Sequence, residues 1–250
     1  MTPPSFARSL IAASRLARLT PHVLHGLWLV KRRFGQLSAE QRHERVQWWS
    51  RKTLRIFGVT LRHTGQAALP NGHLLVANHV SWLDIAAIHA LMPQARFVSK
   101  SDVKHWPVVG ALVEGVGTLF IERTNKRDAL RVVHQTAAAL QAGDCVAVFP
   151  EGTTGPGPEL LPFHANLLQA AVSVGAPVLP VMLRWHEPGE RFSPSVRFIG
   201  DTTLVASMWR IASARGLGLE IQILPSVPTA GQDRRVLGES LRSAISGRLG

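Results

Sequence analysis

The chain has 250 residues, 46% of them apolar and 18% charged, with a mean hydropathy of +0.09. That is length for one large α/β domain or at most two small ones, and too apolar for a disordered segment. A net charge of +12 and a pI of about 11.5 call for a polyanionic partner, which leaves nucleic acid, an anionic membrane surface and a phosphorylated substrate.

The charge is unevenly placed. Residues 1–62 hold 12 Lys and Arg against Glu40 and Glu44, a net of +10, and the remaining 188 residues carry +2. This points to one basic face on a nearly neutral body. The basic quarter reads as two helices. The first spans about Ser5 to Leu19, with Phe6, Leu10, Leu16 and Leu19 near one face, Arg8, Arg15 and Arg18 on another, and Pro21 as its end. After the cluster Lys31-Arg32-Arg33, Ser38 and Gln41 form a capping-box signature for a second helix. That helix carries Val46, Trp49, Ile56 and Phe57 at helical spacing, with Trp48 beside them, and stops at Gly58. Aromatic and leucine side chains opposite arginines suit a bilayer interface, where rings sit at headgroup level and cations meet anionic lipid. Two ordinary amphipathic helices with solvated charges are the plainer alternative. Arg15 and Arg18 interrupt any secretory apolar core. The best spanning candidate, His22 to Val30, is short of the ~20 apolar residues a membrane helix needs.

From Val59 onward short apolar runs alternate with helical segments. Strands are expected at 59–64, 73–78, 95–99, 117–122, 145–149, 178–184, 195–199 and 219–224. Helices are expected near 82–92, 126–142, 162–174 and 233–247. The pattern predicts an α/β fold with a mostly parallel sheet flanked by helices. The division is residues 1–58 as the basic helical segment and 59–250 as the α/β domain.

Three strand ends carry chemistry. In LLVANHVSWLDIAAI, His79 and Asp84 follow a strand and open a helix. Mid-helix, a spacing of five would separate them by ~140°. With His79 in the turn and Asp84 in the first helical turn, the carboxylate can fix the imidazole tautomer and leave the other nitrogen to take a proton from a hydroxyl. Arg123, in GTLFIERTNKR, suits phosphate or carboxylate recognition, or else pairs at the surface with Glu122 or Asp128. In VAVFPEGTTGPG a strand runs into Glu151, Gly152, Thr153 and Thr154, where glycines let backbone approach a ligand; no Gly-Lys-Ser/Thr follows, so this is not a Walker loop. Cys145 and His89 read as packing residues and His164 as capping or packing. The 11 histidines show no metal-ligand spacing, so no metal is expected.

The series NHVSWLD, GTLFIER, FPEGT and PVLPV resembles the four blocks of the glycerolipid acyltransferases, the 1-acylglycerol-3-phosphate acyltransferase family, over roughly residues 59 to 200. The helical pair resembles that family's membrane-docking helices. The resemblance implies His79 as general base for direct attack of the acceptor hydroxyl on an acyl thioester, with Asp84 orienting it and no acyl-enzyme. It implies Lys100 and Arg123 as holders of the acceptor's phosphate, Glu151, Gly152 and Thr153 as the acceptor-binding turn, and Pro180 as the proline of the last block. Where the family commonly continues EGT with arginine, this chain has Thr154. Related lyso-ornithine lipid acyltransferases resemble it in having a small hydroxyl residue there, so that acceptor stands beside lysophosphatidate.

The expected function is therefore acyl transfer from acyl-CoA or acyl carrier protein, as co-substrate, to a lysolipid hydroxyl. No cofactor is expected, and the enzyme would be peripheral or monotopic at the cytoplasmic face of the membrane. A non-catalytic nucleic-acid module is the alternative of another class suggested by the pI. The alternation of basic residues with a Trp/Leu face, and the lack of a nucleic-acid signature, speak against it.

Overall fold

In a computed structural model describing residues 6–66, 71–121 and 126–250, the apolar runs form seven strands. These are β1 (Thr60–Thr64), β2 (Leu74–Ala77), β3 (Ala95–Lys100), β4 (Leu119–Ile121), β5 (Cys145–Val148), β6 (Val178–His186) and β7 (Gly218–Ile223). They make one sheet in the order β1-β7-β6-β2-β5-β3-β4. Strands β6, β2, β5, β3 and β4 are mutually parallel; β7 runs antiparallel to β6, and β1 parallel to β7. All four residues of β2 and of β5 are buried, as strands covered on both faces must be.

Alternate residues feed two cores. Leu75 and Ala77 of β2 join the cluster that includes Phe57, Leu83, Trp185 and Ile211. Leu74 and Val76 join Leu168, Leu237 and Leu241 on the other face. Helices α1 (Phe6–Trp28), α2 (Ala39–Ile56), α3 (Leu83–His89) and α7 (Leu204–Ser213) cover the first face. Helices α5 (Lys126–Gln141), α6 (Leu168–Val174) and α8 (Arg234–Leu249) cover the second, and α4 (Val109–Gly115) lies between β3 and β4 in the chain.

The predicted strand at 195–199 does not form. Its backbone is spent elsewhere: Phe198 N–H donates to the Val80 carbonyl at 3.0 Å, and Arg210 Nε donates to the Ser195 carbonyl at 3.0 Å. With those partners satisfied across a loop, no sheet neighbour is needed. The helix predicted from 162 begins only at Leu168, because the His164 N–H is taken by the Pro150 carbonyl at 2.8 Å. Helices α4 and α7 were not anticipated.

Pro21 does not end the first helix, and α1 runs through it to Trp28. Pro21 and Ala17, whose carbonyl loses its helical partner, both lie on the solvent side, so the lost bond leaves no buried group unpaired. Nor do Phe6, Leu10, Leu16 and Leu19 share a face. Ala12 and Leu19 enter the core, whereas Phe6 is 81% exposed and Leu10, Leu24 and Trp28 at least half exposed. At 100° per residue those four fall within about 40° of one another, so α1 carries a second, outward apolar stripe.

The capping box of α2 is present, with Ser38 Oγ accepting from Gln41 N–H and Gln41 Oε1 from Ser38 N–H. The two N-terminal helices interlock where Trp49 Nε1 donates to the His22 carbonyl at 3.2 Å and the His22 ring stacks on Trp49 at 4.9 Å. They are also tied to the body. Arg15 Nη1 donates to the carbonyls of Ala212 and Ala214 at 2.9 and 2.6 Å, capping the end of α7, and Arg51 Nε donates to the Ala90 carbonyl beyond α3 at 2.9 Å. No helix among the described residues is long and apolar enough to cross a membrane.

Candidate active site

The C-terminal ends of the parallel strands, where open α/β sheets place their ligands, bring β2 and β5 side by side. The chain leaves β2 at Asn78, whose side chain prolongs the ladder with β6: Nδ2 donates to the Leu183 carbonyl at 2.9 Å and Oδ1 accepts from Leu183 N–H at 2.8 Å. That substitution of side chain for backbone releases the next residue, His79, from the sheet without leaving buried groups unpaired.

His79 sits in the turn and Asp84 in the first turn of α3, the one arrangement in which their spacing lets them meet. Nδ1 of His79 lies 2.8 Å from Asp84 Oδ2. The same oxygen accepts the N–H groups of Val80 and Ser81 at 2.7 and 2.8 Å, and Oδ1 accepts from the Trp185 indole at 2.6 Å. Asp84 is fully buried, so its charge is held by four donors and by the N-terminus of the helix it opens. An ionised carboxylate only accepts, which puts the His79 proton on Nδ1 and leaves Nε2 as the basic nitrogen. Nε2 has no protein hydrogen bond among the described residues. The ring lies flat on Phe149 of the β5 exit, centroids 3.9 Å apart at 8°, and Phe149 in turn stacks near Phe97.

The β5 turn grips the His79 backbone from the other side. Glu151, buried, accepts the His79 N–H on Oε1 at 2.7 Å and the Leu161 N–H on Oε2 at 2.8 Å. Gly155 N–H donates to the His79 carbonyl at 2.7 Å. A side chain at Gly155 would press on Glu151 Oε2, and Gly152 sits at φ +70°, in the left-handed region that favours glycine. Both oxygens of Glu151 are thus engaged by the protein's own backbone. Thr153 is exposed. The Thr154 hydroxyl donates to the Phe198 carbonyl, strutting the turn against the loop at 195–199.

Lys100 ends β3 and is exposed, in register with Ile121 of β4. Arg123, two residues farther along, lies outside the described residues. Pro180 stands opposite Val76 within β6, and its carbonyl accepts the Leu224 N–H at 3.0 Å just beyond the β6–β7 ladder; lacking an N–H, it returns no second bond there. Of the residues read as packing, Cys145 is buried in β5. His89 is buried with Nε2 on the Ala95 carbonyl at 2.9 Å; burial pushes its imidazole down to about 4. His164 is exposed. Trp185 and Asn78 are not singled out in the sequence, where the Gly155 backbone is expected to approach a ligand; its N–H meets the His79 carbonyl instead. A tryptophan in a buried strand was the available signal for Trp185, because its N–H must find an acceptor.

Burial pushes the Glu151 carboxyl above its usual range, against the pull of the two N–H donors. A raised native value means that the folded state holds this proton more tightly than the unfolded chain. Its contribution to stability is therefore full below the ordinary value of 4.5 and is lost as pH rises through the native value. Glu151→Gln removes that slope and turns an amide NH₂ toward one of the two backbone N–H groups, leaving it unpaired. Urea unfolding at neutral pH should show a loss of about 1–3 kcal/mol, and stability unchanged from wild type would refute the bridging role.

The family model described as Acyltransferase matches residues 60–184. The chain is 40% identical over 179 residues to the 1-acyl-sn-glycerol-3-phosphate acyltransferase of Neisseria gonorrhoeae, covering 70% of this chain and 69% of that one. It is 35% identical over 205 residues to the lyso-ornithine lipid O-acyltransferase of Pseudomonas aeruginosa, covering 82% and 78%. The crystal structure of the 1-acyl-sn-glycerophosphate acyltransferase PlsC from Thermotoga maritima has the same fold, at a TM-score of 0.72 and 18% identity over 96% of this chain and 93% of that one. With half the chain under the family model and relatives this close over most of their length, the protein belongs to the Acyltransferase family, and it is an O-acyltransferase.

Proposed function

We propose that this enzyme acylates a lysolipid, chiefly 1-acyl-sn-glycerol-3-phosphate to phosphatidate, with acyl-CoA or acyl carrier protein as donor. The observation that carries this reading is His79 with Nδ1 tied to Asp84 at 2.8 Å and Nε2 open at the strand-end edge. Nε2 takes the proton of the acceptor hydroxyl as its oxygen attacks the thioester carbonyl. The tetrahedral intermediate collapses to the ester, the C–S bond breaks, and the imidazolium returns its proton to the leaving thiolate. Asp84 stabilises the imidazolium while it exists. Lys100, at the end of β3, and Arg123 bind the acceptor's phosphate. Thr153 contributes its exposed hydroxyl beside the backbone of Gly152, and Glu151 holds this turn against His79.

Thr154 favours a second acceptor, lyso-ornithine lipid. Its hydroxyl is turned to the Phe198 carbonyl, and it adds no cation where a dianionic phosphate monoester would use one. The enzyme works peripherally at the cytoplasmic membrane face, docked by the stripe of Phe6, Leu10, Leu24 and Trp28 amid the basic residues of α1 and α2.

Parallel acyl-transfer assays on the two lysolipids decide the acceptor: higher kcat/KM on lysophosphatidate is expected, and turnover of neither would overturn the proposal. His79→Ala should lose about 10²–10⁴-fold in kcat with folding intact; full activity would refute the base. Trp185→Phe removes one donor from the buried Asp84 carboxylate. Its kcat should fall about tenfold with acceptor KM unchanged, whereas an effect on KM alone would exclude a positioning role. Deleting the N-terminal helices would strip core residues, so docking is better tested by Phe6→Ser, Leu10→Ser and Leu24→Ser combined. Sedimentation with phosphatidylcholine vesicles containing phosphatidylglycerol should drop about tenfold, and undiminished binding would rule out the stripe.

A further inference from the structure

A cleft of about 660 Å³, lined by none of the residues placed at the strand-end edge, opens between the end of α1 and the outer face of α2, within the ~300–1,000 Å³ range of small-ligand sites. Its apolar walls are Trp28, Leu37 and Trp48, and its cations are Arg33, Arg45 and Lys52. No Asp or Glu lines it. Among the described residues none of these three cations forms an ion pair or a side-chain hydrogen bond. Lys52 Nζ instead lies over the Trp48 ring at 4.8 Å, and His25 bridges the two tryptophans, 5.8 Å from Trp28 and 5.5 Å from Trp48.

The backbone contributes to this shape. Immediately after α1, residues Leu29–Arg33 form a π-helical turn, a rare conformation that is frequent at functional sites. It places Arg33 at the cleft, across from Arg45 and Lys52, which are seven residues and two turns apart on one side of α2.

Converging cations without counterions, set beside exposed indoles, match a ligand with an anionic phosphate at one end and a glycerol and acyl chain beyond it. A nucleic acid would need an extended basic track, and this cleft holds one small group. We infer that the cleft between α1 and α2 binds the phosphate headgroup of an anionic phospholipid, one molecule per chain, at a site separate from the catalytic pocket. The occupant's identity rests on the reading of this helix pair as membrane-facing. The headgroup is then a specific ligand in addition to a general attraction to the surface.

The test uses the full chain and dihexanoyl-phosphatidylglycerol below its aggregation concentration, followed by isothermal titration calorimetry, so that no bilayer is present. The wild type should bind saturably at one site. Arg45→Gln with Lys52→Gln, both exposed positions, should weaken Kd about tenfold or more, whereas Lys100→Gln, in the proposed catalytic pocket, should leave it unchanged. Inorganic phosphate alone should bind at least about tenfold more weakly, since it forgoes the apolar walls. Absence of saturable binding, an undiminished Kd in the double variant, loss in Lys100→Gln instead, or equal binding of free phosphate would each overturn the proposal. The triple serine variant of the α1 stripe separates the two readings: it should lose vesicle sedimentation yet keep this soluble binding. Loss of both would show that the cleft is not an independent site.

Discussion

The Glu151 carboxylate joins the exits of β2 and β5, and the geometry of the edge that carries His79 depends on it. One oxygen holds the His79 N–H at 2.7 Å and the other the Leu161 N–H at 2.8 Å. With Gly155 N–H on the His79 carbonyl, the backbone of His79 is clamped on both sides by the neighbouring turn. A carboxylate in this position is buried and costly, so neither oxygen can be left unmet. That constraint ties the turn, the loop before α6 and the histidine into one unit. Asp84 works by the same logic on the side chain: four donors converge on it, and one of them is the imidazole. Position and tautomer of His79 are thus set by two separate buried carboxylates, one on its backbone and one on its ring.

The N-terminal helices show how one element can serve a core and an outward face. Leu19 and Ala12 of α1, with Leu54, Ile56 and Phe57 around the end of α2, belong to the same core as the strands. Arg15 and Arg51 anchor their helices to carbonyls of the body. The remaining surface is unusually apolar and basic, with Phe6, Leu10, Leu24, Trp28 and Trp48 exposed among arginines and lysines that form no ion pair among the described residues. Such exposure disfavours solubility, and a lipid interface would cover it, which links the packing of these helices to the proposed place of work.

Much of this was legible in the sequence. Seven of the eight expected strands form, because short β-rich apolar runs between polar turns have few other ways to bury themselves. The eighth, 195–199, has the same composition, but its N–H and C=O groups find Val80, Thr154 and Arg210 first. The pair His79 and Asp84 could be named with its required placement, since the five-residue spacing works only across a turn and a helix start. The partners of Trp185 and Gly155 could not. Trp185 is 101 residues from the carboxylate it supports, and Gly155 reaches the His79 carbonyl across the β2–β5 gap. No local pattern encodes such distances.

The sequence alone determined the α/β alternation, the concentration of positive charge in the first 62 residues and the pairing of His79 with Asp84, because periodicity, charge and side-chain chemistry are local properties of the chain. Only tertiary structure decided that Glu151 spends both oxygens on backbone, that Thr154 faces Phe198, that α1 passes through Pro21 and that its apolar residues divide between core and surface. Those outcomes depend on which partner reaches each buried polar group or apolar face first. That is settled by packing between segments far apart in the chain.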